Sequence, residues 1–293
     1  MHTGRPSDTA AAIAHIRAKY SKLHPEILAD PLADRILCEP VLDHTVLDRG
    51  LAPDVAHRRG QYILARSRFA DDRLAAAVAR GVDQIVILGA GLDTTAYRSS
   101  HHVRFFEVDH PDTQTWKQRL LAEATIPVPD TVTFVPIDFE HTTLAAELAT
   151  AGLDRSRPAV YIALGVTVYL TRPALEDMLG YILDHHGGEG VLDYFYPPHH
   201  ASADHLHTRA ESTARLGEPW RSCFTADEFH HLIQSFGGQL LEDHCASGAC
   251  GRLCRPDRDT LHGGGNACRP LLGPLTPVQG QGAPATSGSI GDL

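Results

Sequence analysis

The stretch Gln84-Ile85-Val86-Ile87-Leu88-Gly89-Ala90-Gly91-Leu92-Asp93 constrains this chain most. A run of mostly branched apolar residues leads straight into Gly-x-Gly. An unbroken apolar run suits a strand buried on both faces, as in a parallel sheet. Glycine at the turn lets backbone approach a ligand and the next helix. Thr94-Thr95-Ala96-Tyr97-Arg98 is placed to open that helix. A second strand-like run, Val103 to Asp109, ends in a carboxylate 18 residues after Gly91. Strand, glycine turn, helix, strand and terminal acid is the order in which a doubly wound sheet holds an adenosine, with Gly89 and Gly91 under the ligand and Asp109 on the ribose hydroxyls.

A dinucleotide turn prefers Gly-x-Gly-x-x-Gly, with a helix N-terminus facing the pyrophosphate. Here the third position is Thr94, and Asp93 precedes it. A carboxylate beside a pyrophosphate is repulsive. Beside a ligand that carries an ammonium and a sulfonium but no phosphate, it is favourable. The expected cofactor is therefore S-adenosyl-L-methionine. An NAD-dependent oxidoreductase is the weaker alternative.

Gly89-Ala90-Gly91-Leu92-Asp93-Thr94-Thr95-Ala96-Tyr97-Arg98, followed by Phe106-Glu107-Val108-Asp109-His110-Pro111, resembles the leucine carboxyl methyltransferase family, including its bacterial polyketide O-methyltransferase-like branch. The resemblance runs from about Ser7 to about Asp243. It implies an α/β class I methyltransferase fold with a doubly wound, mostly parallel sheet, S-adenosyl-L-methionine as cofactor, and methyl transfer to oxygen. It also implies roles. A basic residue on the N-terminal helix, matched approximately by Lys19, reaches the cofactor. Arg66 binds the methionine carboxylate, which a guanidinium suits because it offers two parallel donors. Asp138 accepts from the adenine amino group, and the backbone of Phe139 meets the ring. Asp30-Pro31 resembles the family's Asp-Pro turn. One departure stands out: the family glutamate before Gly165 is Leu164 here. That substitution raises a second reading, a cofactor-binding protein with impaired catalysis.

The organisation follows from the remaining pattern. Residues 1–80 are expected to form a helical cap, with helices over about Ala10–Leu23 and Gln61–Arg80. Residues 81–245 form the methyltransferase core, with a lid at about 197–220. Further strands are expected at Val132–Pro136, Ala159–Ala163, Gly190–Tyr196 and Gln239–Glu242. Thr225 and Glu228 form a capping box. Residues 246–293 are a Cys/Gly/Pro-rich tail whose end, from Gly273, is expected to lack regular structure. The spacing of Cys245, Cys250, Cys254 and Cys268 lacks a paired zinc knuckle, and the histidines at 199, 200, 205 and 207 lack regular ligand spacing, so no metal is expected.

The chain has 293 residues, 43% of them hydrophobic, enough for one sizeable α/β core with appendages. With 26 Lys+Arg against 36 Asp+Glu, the net charge is −10. No basic cluster offsets it, which argues against nucleic acid or an anionic membrane as partner. No apolar run is long enough for a membrane span, and the N-terminus lacks an apolar signal core, so a cytoplasmic enzyme is the expectation. The expected partner is a small-molecule methyl acceptor bearing a hydroxyl or carboxyl group. The segment between the fifth and sixth strands is apolar at intervals (Ala201, Ala203, Leu206, Ala210, Leu216, Trp220) and carries mixed charges, without a basic patch for a peptide terminus. No residue stands out as general base, and the oligomeric state is open.

Overall fold

The structure, a computed structural model, describes residues 7–37, 47–199, 204–244 and 275–277. Five parallel strands form the central sheet: β1 (Gln84–Leu88), β2 (Arg104–Asp109), β3 (Val132–Pro136), β4 (Val160–Ala163) and β5 (Glu189–Leu192), in the order β3-β2-β1-β4-β5. The chain runs outward from β1 through β2 to β3, then crosses back to place β4 on the other side of β1. This reversal opens a crevice at the carboxyl ends of β1 and β4, where doubly wound sheets bind ligands.

The apolar run of β1 is buried on both faces as expected. Val86 and Leu88 point to one side and join Phe106, Val108, Tyr161, Ala163 and Leu192 in a core shared with later helices. Ile85 and Ile87 point to the other and pack with Phe105, Val160, Ile162, Ala70, Leu74 and Ala77. Helices α4 (Thr95–Arg98), α5 (Pro111–Glu123), α6 (Leu144–Thr150) and α7 (Arg172–Leu183) connect the strands. After β5 come α8 (Asp204–Arg215) and α9 (Ala226–Ser235); Thr225 and Glu228 close the expected capping box on α9.

Among the described residues three elements precede the sheet: α1 (Asp8–Leu23), the single turn α2 (Leu32–Arg35) and α3 (Pro53–Ala79). Helix α3 begins at Pro53, well before the expected Gln61, because proline is favoured in a first turn. Its interior Gly60 has a packing reason: the Tyr20 ring of α1 occupies the space a Cβ would need.

The end of the chain departs from expectation. The sixth strand, β6 (Gly238–Leu240), does not extend the parallel sheet but pairs antiparallel with β7 (Leu275–Pro277). Strand β7 also contacts β5 and α7. It falls within the Gly273–Leu293 stretch expected to lack regular structure. The cysteines at 245, 250, 254 and 268 lie outside the described residues, as do His200 and Ala201–Ala203 of the expected lid.

Candidate functional site

A cavity of about 510 Å³ lies over the carboxyl ends of the strands, within the roughly 300–1,000 Å³ typical of small-molecule sites. Every strand of the central sheet contributes a following loop: Gly89 to Asp93 after β1, Asp109 and His110 at β2, Asp138 and Phe139 after β3, Leu164 to Val166 after β4, and Phe195 after β5. Helices α1 and α3 and the segment Arg209–Arg221 complete its walls.

The glycine turn needs its glycines. Gly89 and Gly91 have φ of +62° and +44°, which side chains disfavour. A Cβ on Gly89 would collide with Val166, and one on Gly91 would lie 3.2 Å from Ala10 of α1. Asp109 is 6% exposed and grips this turn: one carboxylate oxygen accepts from the Gly91 N–H, the other from the His110 N–H at 2.7 Å. Burial pushes its pKa up, against these amides, which pull it down. Asp138 lines the same end, with one oxygen accepting from the Glu140 N–H at 3.0 Å and the other 3.9 Å from His110 Nε2. Phe139 follows, its ring half-buried against the core.

Arg66 projects from α3 to the mouth of the β4 loop, 5% exposed. It pairs with Asp193, a fully buried acid just past β5. Asp193 also accepts from the Gly165 N–H at 2.6 Å and from the Tyr62 hydroxyl at 3.4 Å. It thus ties α3 to the turn after β4. Arg66 Nε has no hydrogen-bond partner. Burial opposes its charge, but Asp193 outweighs that and raises its pKa. Leu164, where the resemblance leads one to expect a glutamate, lines the cavity and packs half-buried against the apolar core.

The structure does not bring Lys19 to this cavity. Lys19 is exposed on the outer side of α1, with its Nζ 5.6 Å from the Tyr20 ring centroid. The cavity-facing basic residue is Arg17. Two residues along a helix turn the side chain through about 200°, so both cannot face one ligand. The signal was present: Ala10, Ile13, Ala14 and Arg17 share a helical face, and all line the cavity. Arg17 donates to Asp93 at 2.9 Å and to the Leu92 carbonyl at 2.6 Å, and its Nε lies 3.0 Å from Asp30. Thr94 donates to the same Asp30 at 2.6 Å. The Asp-Pro turn, Arg17 and Thr94 therefore staple α1 onto the glycine turn. This corrects the part assigned to Asp93, whose charge is met by Arg17. Burial would raise its pKa, yet Arg17 and Arg98 hold it down to about 2.

The other end of the cavity is aromatic and basic, lined by Tyr62, Tyr169, Phe195, Trp220, Arg59 and Arg209. Glu218 also faces it, but its carboxylate receives Ser7, Thr9 and the Asp8 N–H at the N-terminus of α1. Burial, then the Glu218 charge, pushes the Tyr169 phenol up to about 12. It is neutral at physiological pH and unsuited to act as a base. Among the described residues no cluster of three or more His, Cys, Asp or Glu side chains is arranged to hold a metal, and no helix is long and apolar enough to cross a membrane.

A doubly wound sheet with a glycine turn, an acid on the neighbouring strand and a cavity at the switch point defines an α/β protein with a small-molecule-sized crevice at the carboxyl ends of its strands. The leucine carboxyl methyltransferase family model matches residues 10–183, and the chain belongs to that family. It is 33% identical over 189 residues to YktD of Bacillus subtilis (strain 168), a protein provisionally named an S-adenosyl-L-methionine-dependent methyltransferase; the match covers 62% of each. A similarly named protein of Mycobacterium marinum (strain ATCC BAA-535 / M) is 32% identical over 226 residues, covering 73% of this chain and 72% of that protein. The chain thus matches less than two thirds of YktD's length. Among solved structures, a DUF574 family protein from Streptomyces avermitilis superposes with a TM-score of 0.55 at 16% identity, covering 89% of this chain and 95% of that one, a likeness of fold.

Proposed function

We propose that this protein is a methyltransferase that uses S-adenosyl-L-methionine to methylate an oxygen, hydroxyl or carboxylate, of a small molecule. The observation that carries the reading is Asp109, held at the end of β2 by the Gly91 N–H at the floor of the crevice. Family membership and the names of the relatives support it. The residues fit the cofactor: the two glycines hold the turn at positive φ, packed against Val166 and Ala10, and Arg66 keeps an unpartnered Nε while buried.

In this reading Asp109 takes the ribose hydroxyls, Asp138 and the Phe139 backbone take the adenine, and Arg66, oriented by Asp193, takes the methionine carboxylate. Arg17, not Lys19, supplies the basic residue of α1, and it acts by holding the glycine turn in shape. Bound there, the cofactor supplies an electrophilic methyl group. The protein's task is orientation and exclusion of water. A carboxylate acceptor needs no base, whereas a hydroxyl must lose a proton. Tyr169 stays protonated and has no free phenolate to accept it, and Glu218 is engaged at α1.

Two observations weigh against a dinucleotide. Thr94 is fully buried and committed to Asp30. The helix after the turn, α4, has four residues. Leu164 keeps a catalytically impaired binding protein as the second reading. Incubating the pure protein with radiolabelled S-adenosyl-L-methionine and a panel of small phenols, carboxylic acids and C-terminal peptides tests the proposal. Label on a small acceptor is expected. Label on peptides alone contradicts the small-molecule part, and binding of S-adenosylhomocysteine without transfer to anything favours the second reading.

A further inference from the structure

The aromatic end of the cavity holds two guanidinium groups that cofactor binding leaves unused. Arg59 comes from α3 and Arg209 from α8, and both line the cavity. Arg59 is 6% exposed. Its Nη1 donates to the Leu47 carbonyl at 2.5 Å. Its Nη2 lies 3.0 Å from Asp48 at the rim, and neither Nη2 nor Nε makes a hydrogen bond. Buried donors left open are costly, and a ligand acceptor relieves the cost. Burial, then the neighbouring Arg209 charge, brings Arg59 down to about 10, so it is still cationic at neutral pH. The Arg209 guanidinium lies 5.1 Å from the Phe195 ring centroid and 5.6 Å from that of Trp220. The nearby acid Glu218 is taken up by Ser7, Asp8 and Thr9. Charges counted within the segment between β5 and α9 read as mixed because Arg59 arrives from a distant helix and Glu218 is diverted to α1.

We propose that this end of the cavity is a subsite for an aromatic acceptor that carries an anionic group, with the anion received by Arg59 beside Arg209 and the ring system set against Trp220 and Tyr169. The unpartnered Nε of Arg59, beside an Nη2 that only Asp48 at the rim faces, gives the anion its partner. The aromatic walls favour a flat apolar body. The inference rests on the methyltransferase reading only in calling the ligand an acceptor.

The test is calorimetry on the full chain saturated with S-adenosylhomocysteine, whose own titration is run first and reports on the cofactor reading separately. The probes are salicylate and 1-hydroxy-2-naphthoate against their uncharged amides. The acids are expected to bind at least about tenfold more tightly than the amides, the size of one charge-assisted hydrogen bond. R59Q is expected to abolish that preference, weakening binding of the acids much more than binding of the amides. R59K, which keeps the charge but loses the planar fork, should restore part of it. R209Q, which alters a residue of α8, provides the same comparison where R59Q does not fold. Equal affinity for acid and amide, a preference that survives in the folded arginine variants, or no binding of any probe to protein that binds S-adenosylhomocysteine overturns the inference.

Discussion

At the scale of single residues, two carboxylates on neighbouring turns have opposite electrostatic fates. Asp109 is buried between two backbone amides, and burial raises its pKa. Asp93 lies against Arg17 and Arg98 and is held down to about 2. Asp109→Ala is expected to weaken S-adenosylhomocysteine binding by about 1.5–3 kcal/mol, the value of a hydrogen bond to a charged group, measured by calorimetry. For Asp93 the folded pKa lies below the unfolded value near 3.8. Its contribution is therefore complete above that value and lost as pH falls toward 2, about 2 kcal/mol in all. Stability of Asp93→Asn, followed by denaturant titration between pH 5 and 2, should fall less steeply with acid than that of the parent. An unchanged slope would show that Arg17 does not stabilise the ionised form. The raised groups Asp109, Glu107 and Asp71 act in the other direction; the Asp93 charge adds to the rise of Glu107 and Asp71, so the difference in slope reports Asp93 together with that coupling.

At the scale of elements, the cavity is built by α1 and α3 as much as by the sheet. Gly60 shows how closely those helices meet. In an ordinary helix Gly→Ala gains up to about 1 kcal/mol. Here the new methyl meets the Tyr20 ring, so Gly60→Ala is expected to cost about 1–3 kcal/mol by overpacking, read as a lower midpoint in urea. A gain in stability would mean that α1 stands off from α3. The same elements mark what was legible in the sequence. The placement of Gly89, Gly91 and Asp109 at the cavity was readable because it follows from local order: strand, turn, strand. Asp138 and Phe139 follow β3 in the same way, and the structure places both at the cavity. Arg17 is readable from the face it shares with Ala10, Ile13 and Ala14, whereas Lys19 lies off that face. Asp193 was hidden inside an apolar run taken as one strand, which in fact ends at Leu192. The partnerships of Glu218 with Ser7 and of Asp193 with Arg66 join distant segments, and no local pattern encodes them.

At the scale of the molecule, the chain folds around one sheet, and its far end returns to it. Strand β7 pairs with β6 and lies beside β5. Deleting residues 273–293 is therefore expected to remove about 1–2 kcal/mol, the worth of a few ladder hydrogen bonds, and to lower Tm by a few degrees. An unchanged Tm would show that the tail adds nothing to the fold. The proposed function requires that the crevice over β1 and β4 bind the adenosine of S-adenosyl-L-methionine. Titrating the purified protein with S-adenosylhomocysteine and, separately, with NADH in a calorimeter tests it most directly. The account predicts one site for S-adenosylhomocysteine, weakened in Asp109→Ala, and no heat from NADH. Saturable NADH binding with none for S-adenosylhomocysteine would contradict it.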